Sequence, residues 1–333
     1  MAKVVFLSLK KNFTGPDLRT GALGGIPSGT IILAEALQRL GNEVIVYNET
    51  QKPEVYKGVE YRSYRKGERI LADLAISNNT AKPLLDVEAP SHVVWQRNRT
   101  SLSRIYKRNE TWALLRLRPH LVTLSKDACA ATPGYIPYRA KHIIPHAIDS
   151  CFTTSGDAPI IPERQIAVFA SRPSRNLQFV VDCWKAHIFP ALPNAEFHIC
   201  APPGTTFPFE ADELAPYNII LRGSLSKEAL ADLMRSSRVL LYPGHRAETG
   251  CQVAQQAIGV GLPIVTCGIG SLSDLVVDGR TGYIEEDPKK YSEKAILCLS
   301  DDQRWRELAT QVRAHPERKY TDDRAAEWQA LFL

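Results

Sequence analysis

The strongest constraint this chain places on its own fold is an alternation of two hydrophobic periods. Short, uninterrupted apolar runs recur along it: "KVVFLSL" at residues 3–9, "EVIVYN" at 43–48, "LADLAIS" at 71–77, "HVVWQ" at 92–96 and "HLVTLS" at 120–125. Runs of helix length lie between them. In "SGTIILAEALQRLG", Leu33, Leu37 and Leu40 share one helical face, and Gly41 is a natural stop. Strands that are apolar throughout, rather than at every second residue, predict a parallel sheet buried on both faces. The pattern breaks at the Ser-, Pro- and Gly-rich stretch "HAIDSCFTTSGDAPIIPERQ" (146–165) and then restarts. "IAVFASR", "AEFHICA", "NIILRG", "RVLLYPG" and "LPIVTC" read as strands, with helices such as "NLQFVVDCWKAHI" and "SKEALADLMRSS" between them. In the last of these, Ser226 stands three residues before Ala229, the spacing of a helix cap. Two doubly wound α/β domains facing a cleft are expected, with the boundary near residue 150.

Bulk properties agree with this. A chain of 333 residues is comfortable for two domains, and its 44% hydrophobic and 23% charged content is ordinary for a soluble protein. A formal charge of +5 suits an anionic ligand or surface. The seven cysteines are scattered, with no C-x-x-C and no metal-ligand spacing to a histidine. They predict a reduced, cytoplasmic chain with buried thiols and no metal site. No run has the length of a membrane span, so any membrane contact would be peripheral, at the inner face.

One stretch concentrates polar chemistry, "HRAETGCQVAQQAIGVGLPIVTC" at 245–267. A strand ends at Gly244, a loop carries the lone acid Glu248, and a helix is expected to begin near Gly250. A helix start offers free N–H groups and a positive dipole end to an anion, and Thr249, Gly250 and Cys251 stand there. Helical rise would carry Gln256 about 9 Å past Gly250. That spacing fits an elongated ligand with a sugar near Glu248, phosphates at the helix start and a ribose near Gln256. It equally fits Glu248 as a dipole cap and Gln256 as a solvent-facing amide.

The surrounding residues weigh on that choice. From 237 to 284 the sequence resembles the retaining GT-B glycosyltransferases of family 4, the glycosyl transferases group 1. The match runs through Pro243, Glu248, Gln256-Ala257, Gly261-Leu262-Pro263-Ile264-Val265, Gly270 and "DLVVDGRTGYI". "ALGGIPSGT" resembles that family's Gly-Gly loop, "GNEVIVYN" its second strand and "LVTLSKDA" a later N-terminal segment. "HIIPHAID" resembles its linker, "ASRPSRNL" its basic segment and "YTDDRAAEWQALF" its last helix. The resemblance implies an N-terminal acceptor-side domain at 1–150 and a nucleotide-sugar donor domain at 151–317. It returns a final helix, about 318–333, to the first domain.

It also implies roles. Glu248 would hold sugar hydroxyls, and Arg172 and Arg175 would stabilise charge on the departing diphosphate. Gly24 and Gly25 would admit phosphate or acceptor close to the backbone, and Gln256 would bind the ribose. The sequence departs from the family where Gln256 replaces a second Glu, and where Arg175-Asn176 replaces Lys-Gly. His146 stands where the linker has Asn, and Gln96 lies near the place of a sugar-binding His. Gln96 and His146 are thus candidate sugar or acceptor contacts.

The implied reaction is sugar transfer with retention, from a nucleoside diphosphate to a cell-surface glycan or glycolipid precursor, in polysaccharide biosynthesis. It needs no cofactor and no metal, and the chain has no D-x-D of the kind that holds a divalent ion. A nucleotide-sugar epimerase of the same fold, and a degenerate nucleotide-sugar-binding protein, are the alternatives.

Two further features await a place. The loop from Lys10 to Pro27 is long for a strand–helix connection and would suit a lid over donor or acceptor. The run at 95–118 carries Arg97, Arg99, Arg104, Lys107, Arg108, Arg116 and Arg118 against the single acid Glu110, with Trp95, Tyr106 and Trp112 interleaved. A solvated face and a peripheral membrane contact are its two main readings. No nucleic-acid motif accompanies it.

Overall fold

The computed structural model describes the whole chain except residues Lys10, Lys11, Gly21, Ala22, Ser155 and Asp157, and the side chains of Arg19 and Thr20. Part of the 10–27 loop therefore lies outside the described residues. The chain divides into two compact units, Met1–Ala147 with Tyr320–Leu333, and Ile148–Lys319.

The strands of the first unit are β1 (Lys3–Leu7), β2 (Glu43–Asn48), β3 (Glu54–Tyr56), β4 (Val59–Ser63), β5 (Ile70–Leu71), β6 (Leu74–Asn78), β7 (Val87–Glu88), β8 (Ser91–Trp95), β9 (His120–Thr123) and β10 (Lys141–Ile143). Eight of them form one sheet in the order β10-β9-β8-β6-β1-β2-β4-β3, and β5 pairs with β7 apart from it. Every neighbour pair in the large sheet is parallel except β3 with β4. The continuous apolar runs are explained by burial on both faces. Val4, Phe6, Val44 and Val46 face a layer containing Ile31 and Leu37 of the helix Gly25–Arg39 and Trp328 and Phe332 of the helix Thr321–Phe332. The alternate residues Val5, Leu7, Ile45 and Tyr47 face a layer containing Ile105, Ala113 and Leu114.

The second unit holds β11 (Ile166–Ala170), β12 (Glu196–Cys200), β13 (Ile219–Gly223), β14 (Val239–Leu241), β15 (Ile264–Thr266) and β16 (Gly282–Ile284). They lie in the order β13-β12-β11-β14-β15-β16, all parallel. This is the doubly wound order whose direction reverses between the first and fourth strands. The Ser226 hydroxyl caps the helix Lys227–Arg235 by accepting from the Ala229 N–H at 3.2 Å, as its spacing predicts.

Two local expectations change. β3 and β4 form a hairpin that the apolar-run pattern passes over, because Glu60 and Arg62 interrupt the run and the strands lie at the sheet's edge. Its turn places Lys57 and Gly58 at φ 48° and 77°. The helix expected over 176–188 runs as Leu177–Cys183 and then widens to a π turn over Trp184–Ile188. Pro190 follows two residues later and has no N–H to give to an α ladder. Among the described residues no helix is long and apolar enough to cross a membrane.

One packing feature of the first unit titrates. His120 of β9 and His142 of β10 meet ring nitrogen to ring nitrogen at 3.0 Å, and Phe332 packs edge-on against both. Burial, then the charges of His142 and Arg139, lower the pKa of His120, and burial lowers that of His142. The unfolded chain therefore binds protons more readily just below pH 6.5, and stability must rise with pH through that window. We expect thermal unfolding of the first unit to occur at lower temperature at pH 5 than at pH 7.5, and His142→Gln to shrink that difference. A first-unit midpoint equal at both pH values would contradict this.

Candidate functional site

In the second unit the chain reverses its winding between β11 and β14, and the connections leaving their carboxyl ends meet there. The segment after β11 carries Arg172 and Arg175, and the segment after β14 carries Glu248. The Tyr242 hydroxyl donates to a Glu248 carboxylate oxygen at 2.8 Å. The Arg175 guanidinium lies 3.7 Å from the same oxygen. Its Nη1 also donates to His245 Nδ1 at 3.1 Å, a nitrogen that accepts from the Ala247 N–H at 3.0 Å as well. Nδ1 is thus an acceptor, which leaves the His245 proton on Nε2. Glu248 is only 16% exposed, so its charge is partnered on the protein side while part of it still faces out.

The loops are locked together by backbone chemistry. Asn176 adopts the left-handed region, φ 64°, where the family pattern has glycine. Asparagine tolerates that region better than most residues. Its side chain uses the position, donating to the Gly244 carbonyl at 2.6 Å. Gly270, at φ 70°, closes the third side: a Cβ there would stand 2.9 Å from the carbonyl oxygens of both His245 and Glu248. The Ser271 hydroxyl accepts the Cys251 N–H at 3.0 Å.

The helix of this segment is Gln252–Val260, with Cys251 as its N-cap and no side-chain cap. It begins two residues later than expected, so helical rise carries Gln256 only about 6 Å past the helix start. Thr249 and Cys251 are buried, and Gln256 is half-buried. Burial, then the neighbouring Glu248 charge, raises the Cys251 pKa and keeps the group a thiol. Burial likewise raises the Tyr242 pKa and keeps its hydroxyl a donor. Arg172 is exposed and has no ion-pair partner among the described residues. Tyr242, His245, Ser271 and Ser171, whose hydroxyl lies 3.4 Å from that of Tyr242, are members that sequence reasoning passed over. A tyrosine ending a buried strand just before Pro243 was the one signal available.

The other sequence-derived residues lie in the first unit. Gly24 caps the helix Gly25–Arg39 with extended backbone and no side-chain bond. A Cβ on Gly24 or Gly25 would meet nothing within 4 Å, so the space before this helix start is open. The Arg97 guanidinium steadies the turn, donating to the carbonyls of Gly25 at 2.8 Å and Ile26 at 3.2 Å. It lies 3.4 Å above the Trp95 ring. Gly29 makes room for it, since a Cβ there would stand 2.5 Å from Arg97 Nη1. Gln96 is buried, and its amide donates to Thr132 Oγ1 at 3.3 Å. His146 is half-buried, and burial with the charges of Arg97 and Arg324 pushes its pKa down to about 3, leaving a neutral ring. Among the described residues no three His, Cys, Asp or Glu side chains converge as a metal site would require.

This arrangement is a fixed carboxylate and a guanidinium beside an uncapped helix start, at the switch point of a doubly wound sheet. Residues 164–301, which lie within the second unit, match the family described as Glycosyl transferases group 1. The D-inositol 3-phosphate glycosyltransferase of Streptomyces avermitilis is 36% identical over 83 residues, 24% of this chain. That stretch spans only 18% of the relative's own length. The solved sucrose-phosphate synthase of Thermosynechococcus elongatus superposes with a TM-score of 0.72 at 14% identity, covering 100% of this chain and 98% of that one. The Anabaena protein HepE, solved with UDP-glucose, superposes at 0.66 and 14% identity over 99% and 100% of the two chains. The fold is GT-B, with two Rossmann-like domains.

Asn176 tests how the two loops are joined. Asn176→Gly keeps the backbone angle and loses the bond to Gly244, and should cost about 1 kcal/mol. Asn176→Val also forces a β-branched residue into the left-handed region, and should cost roughly 1–2 kcal/mol more. Urea unfolding of the second unit reads both. Equal losses would show that the angle carries no weight.

Proposed function

We propose that the protein is a retaining glycosyltransferase of the hexosyl type, which moves a sugar from a nucleoside diphosphate to a cell-surface glycan or glycolipid precursor. The observation that carries this reading is Glu248, held by Tyr242 and Arg175 at the switch point inside the segment that matches the group 1 family. The Streptomyces relative is a glycosyltransferase and the Thermosynechococcus neighbour a synthase, which favours transfer over epimerisation. In this reading the second unit binds the donor and the first unit the acceptor.

The chemistry follows from what the residues can do. The bond between the anomeric carbon and the diphosphate oxygen lengthens, leaving positive charge on the sugar and negative charge on the diphosphate. Arg175 and Arg172 take up the phosphate charge, with the helix start after Cys251 beside them. Arg175 is preorganised by His245 and Glu248, whereas Arg172 is exposed and must fold in around the ligand. Glu248 accepts hydrogen bonds from sugar hydroxyls and orients the ring. The acceptor oxygen bonds to the anomeric carbon on the face the diphosphate leaves, and its proton passes to the leaving phosphate oxygen. Retention arises without a protein nucleophile, and Cys251, a buried thiol, is no rival for that role. Gln256 holds the ribose with one donated and one accepted hydrogen bond. Gly24 and Gly25 admit an anionic group to the first unit's helix start. Gln96, tied to Thr132, shapes the wall, and His146 offers a neutral ring. The donor needs neither metal nor cofactor in this scheme.

Two measurements test it. A thermal-shift panel of UDP, GDP, ADP, CMP and TDP, with and without chelator, should show stabilisation by one nucleoside diphosphate. UDP comes first, because HepE was solved with UDP-glucose. Ligand at a hundred times its Kd adds about 2.7 kcal/mol. No shift with any nucleotide would remove the reading. With the donor identified, Arg175→Ala and Arg172→Ala should each lower kcat by roughly 10²–10³ with little loss of folding stability. Near-normal turnover in either variant would end that residue's assignment.

A further inference from the structure

The basic run at 95–118 is resolved by the structure into two populations. Arg97 is buried over Trp95, which corrects its expected place on an exposed basic face. Arg99 pairs with Asp127, and Arg108 donates to the Asn79 carbonyl at 3.0 Å. Lys107, Arg116 and Arg118 are exposed and have no ion-pair partner among the described residues.

Along the chain these cations alternate with four apolar side chains that are exposed. The helix Leu102–Lys107 buries Ile105 in the first unit's core and leaves Leu102 and Tyr106 exposed. The helix Thr111–Leu117 buries Ala113 and Leu114 and turns Trp112 and Leu115 out. Tyr106 is 79% exposed and Trp112 64%, far more than a tryptophan usually accepts in water. Glu110, the single acid between Asn98 and Lys126, is turned inward and accepts the Ala81 N–H at 2.9 Å. The two helices therefore present exposed aromatic and aliphatic side chains interleaved with cations, with no exposed carboxylate of their own.

We infer that this face, the two short helices between residues 102 and 117, seats the protein on an anionic lipid bilayer. Tryptophan and tyrosine settle at the headgroup level, where the ring body is apolar and its polar edge is wet. Lys and Arg stems extend from there to lipid phosphates. The two leucines distinguish this face from a nucleic-acid surface: an aliphatic tip has no π face on which a base can stack, whereas acyl chains accept it. Cations interrupt the apolar tips, so there is no continuous dry patch of the kind a stable protein interface needs. The inference is separate from the donor site, since no residue of the second unit enters it.

Flotation with vesicles of phosphatidylcholine, alone or mixed with phosphatidylglycerol, tests it at low and high salt. The full chain should float with the mixed vesicles at low salt and dissociate as salt rises. Each cation near an anionic surface contributes about fivefold to partitioning, so combining Lys107→Gln, Arg116→Gln and Arg118→Gln should weaken binding roughly a hundredfold. Combining Trp112→Ser with Leu115→Ser should also abolish flotation, and an unchanged urea midpoint would show that the fold survives. Trp112 supplies its own probe. The other four tryptophans, Trp95, Trp184, Trp305 and Trp328, are buried, so quenching by brominated acyl chains reports on Trp112. Quenching that disappears in Trp112→Ser confirms insertion. The inference is overturned if the full chain fails to float, or if flotation is indifferent to these substitutions. It is equally overturned if the face binds homopolymer RNA and no vesicle, or if the same substitutions abolish self-association instead.

Discussion

Two register pairs in the second unit, Ala167 with Val239 and Val168 with Leu240, carry most of what the site depends on. They join β11 to β14, strands that are neighbours in space because the sheet winds outward in both directions from this seam. The seam brings Arg175 to His245 and Asn176 to Gly244, contacts that span 70 and 68 residues of chain. A slip of one residue would turn the apolar side chains of β14 to the wrong face, so burial on both sides fixes the register. The polar contacts beyond the strand ends follow from it. Core packing is in this sense the first positioning device of the site.

The second device is the absence of freedom in the Glu248 loop. A half-hidden carboxylate needs partners, and here they come from a neutral donor, Tyr242, and a cation, Arg175. Neither partner can drift. Tyr242 sits in the core against Phe169, with ring centroids 5.6 Å apart, and Arg175 is shared with His245. Gly270 lies so close to the loop's carbonyls that any side chain there would push the acid away. An electrostatic site works by such fixed dipoles and charges, because reorganisation during the reaction would consume what they contribute.

Much of the two-sheet architecture was legible in the sequence, because a parallel sheet buried on both faces leaves uninterrupted apolar runs that nothing else explains as well. The β3–β4 hairpin was not, since its residues alternate with charge at an edge. Glu248 and Arg175 could be read from their resemblance to a family pattern, but the bond between them could not. It depends on which strands are neighbours, and strand order is not written in local periodicity. Tyr242 and His245 were missed for the same reason. Arg97 shows the opposite error. Counted along the chain it is one of seven cations in a basic run, yet the gap left by Gly29 and the ring of Trp95 draw it inside. Composition counts charges without saying which of them find a partner.

At the seam of the second unit the helices after β11 and β14 begin without a side-chain cap, at Asn176 and Cys251, and in the first unit the helix Gly25–Arg39 does the same behind Gly24. Five helices elsewhere are capped in the ordinary way, with Ser101, Ser125, Ser226, Asp287 and Asp301 each accepting from an N–H of the first turn, whereas the short helices Thr111–Leu117, Ala211–Leu214 and Leu272–Leu275 also lack a side-chain cap. A cap satisfies donors that would otherwise seek water or an anion. Leaving the starts at the seams uncapped forgoes about 1 kcal/mol at each. It leaves backbone N–H groups and the positive ends of helix dipoles directed at the carboxyl edges of the sheets, where a doubly wound fold receives its ligand. Ser271 illustrates the same economy. Its hydroxyl makes no cap bond to its own short helix and instead takes the Cys251 N–H, fixing the start of the helix that runs on to Gln256. At the seam of the second unit a little stability is given up to leave donors unclaimed, as expected when strand ends serve binding and the packed sheet serves to hold them still.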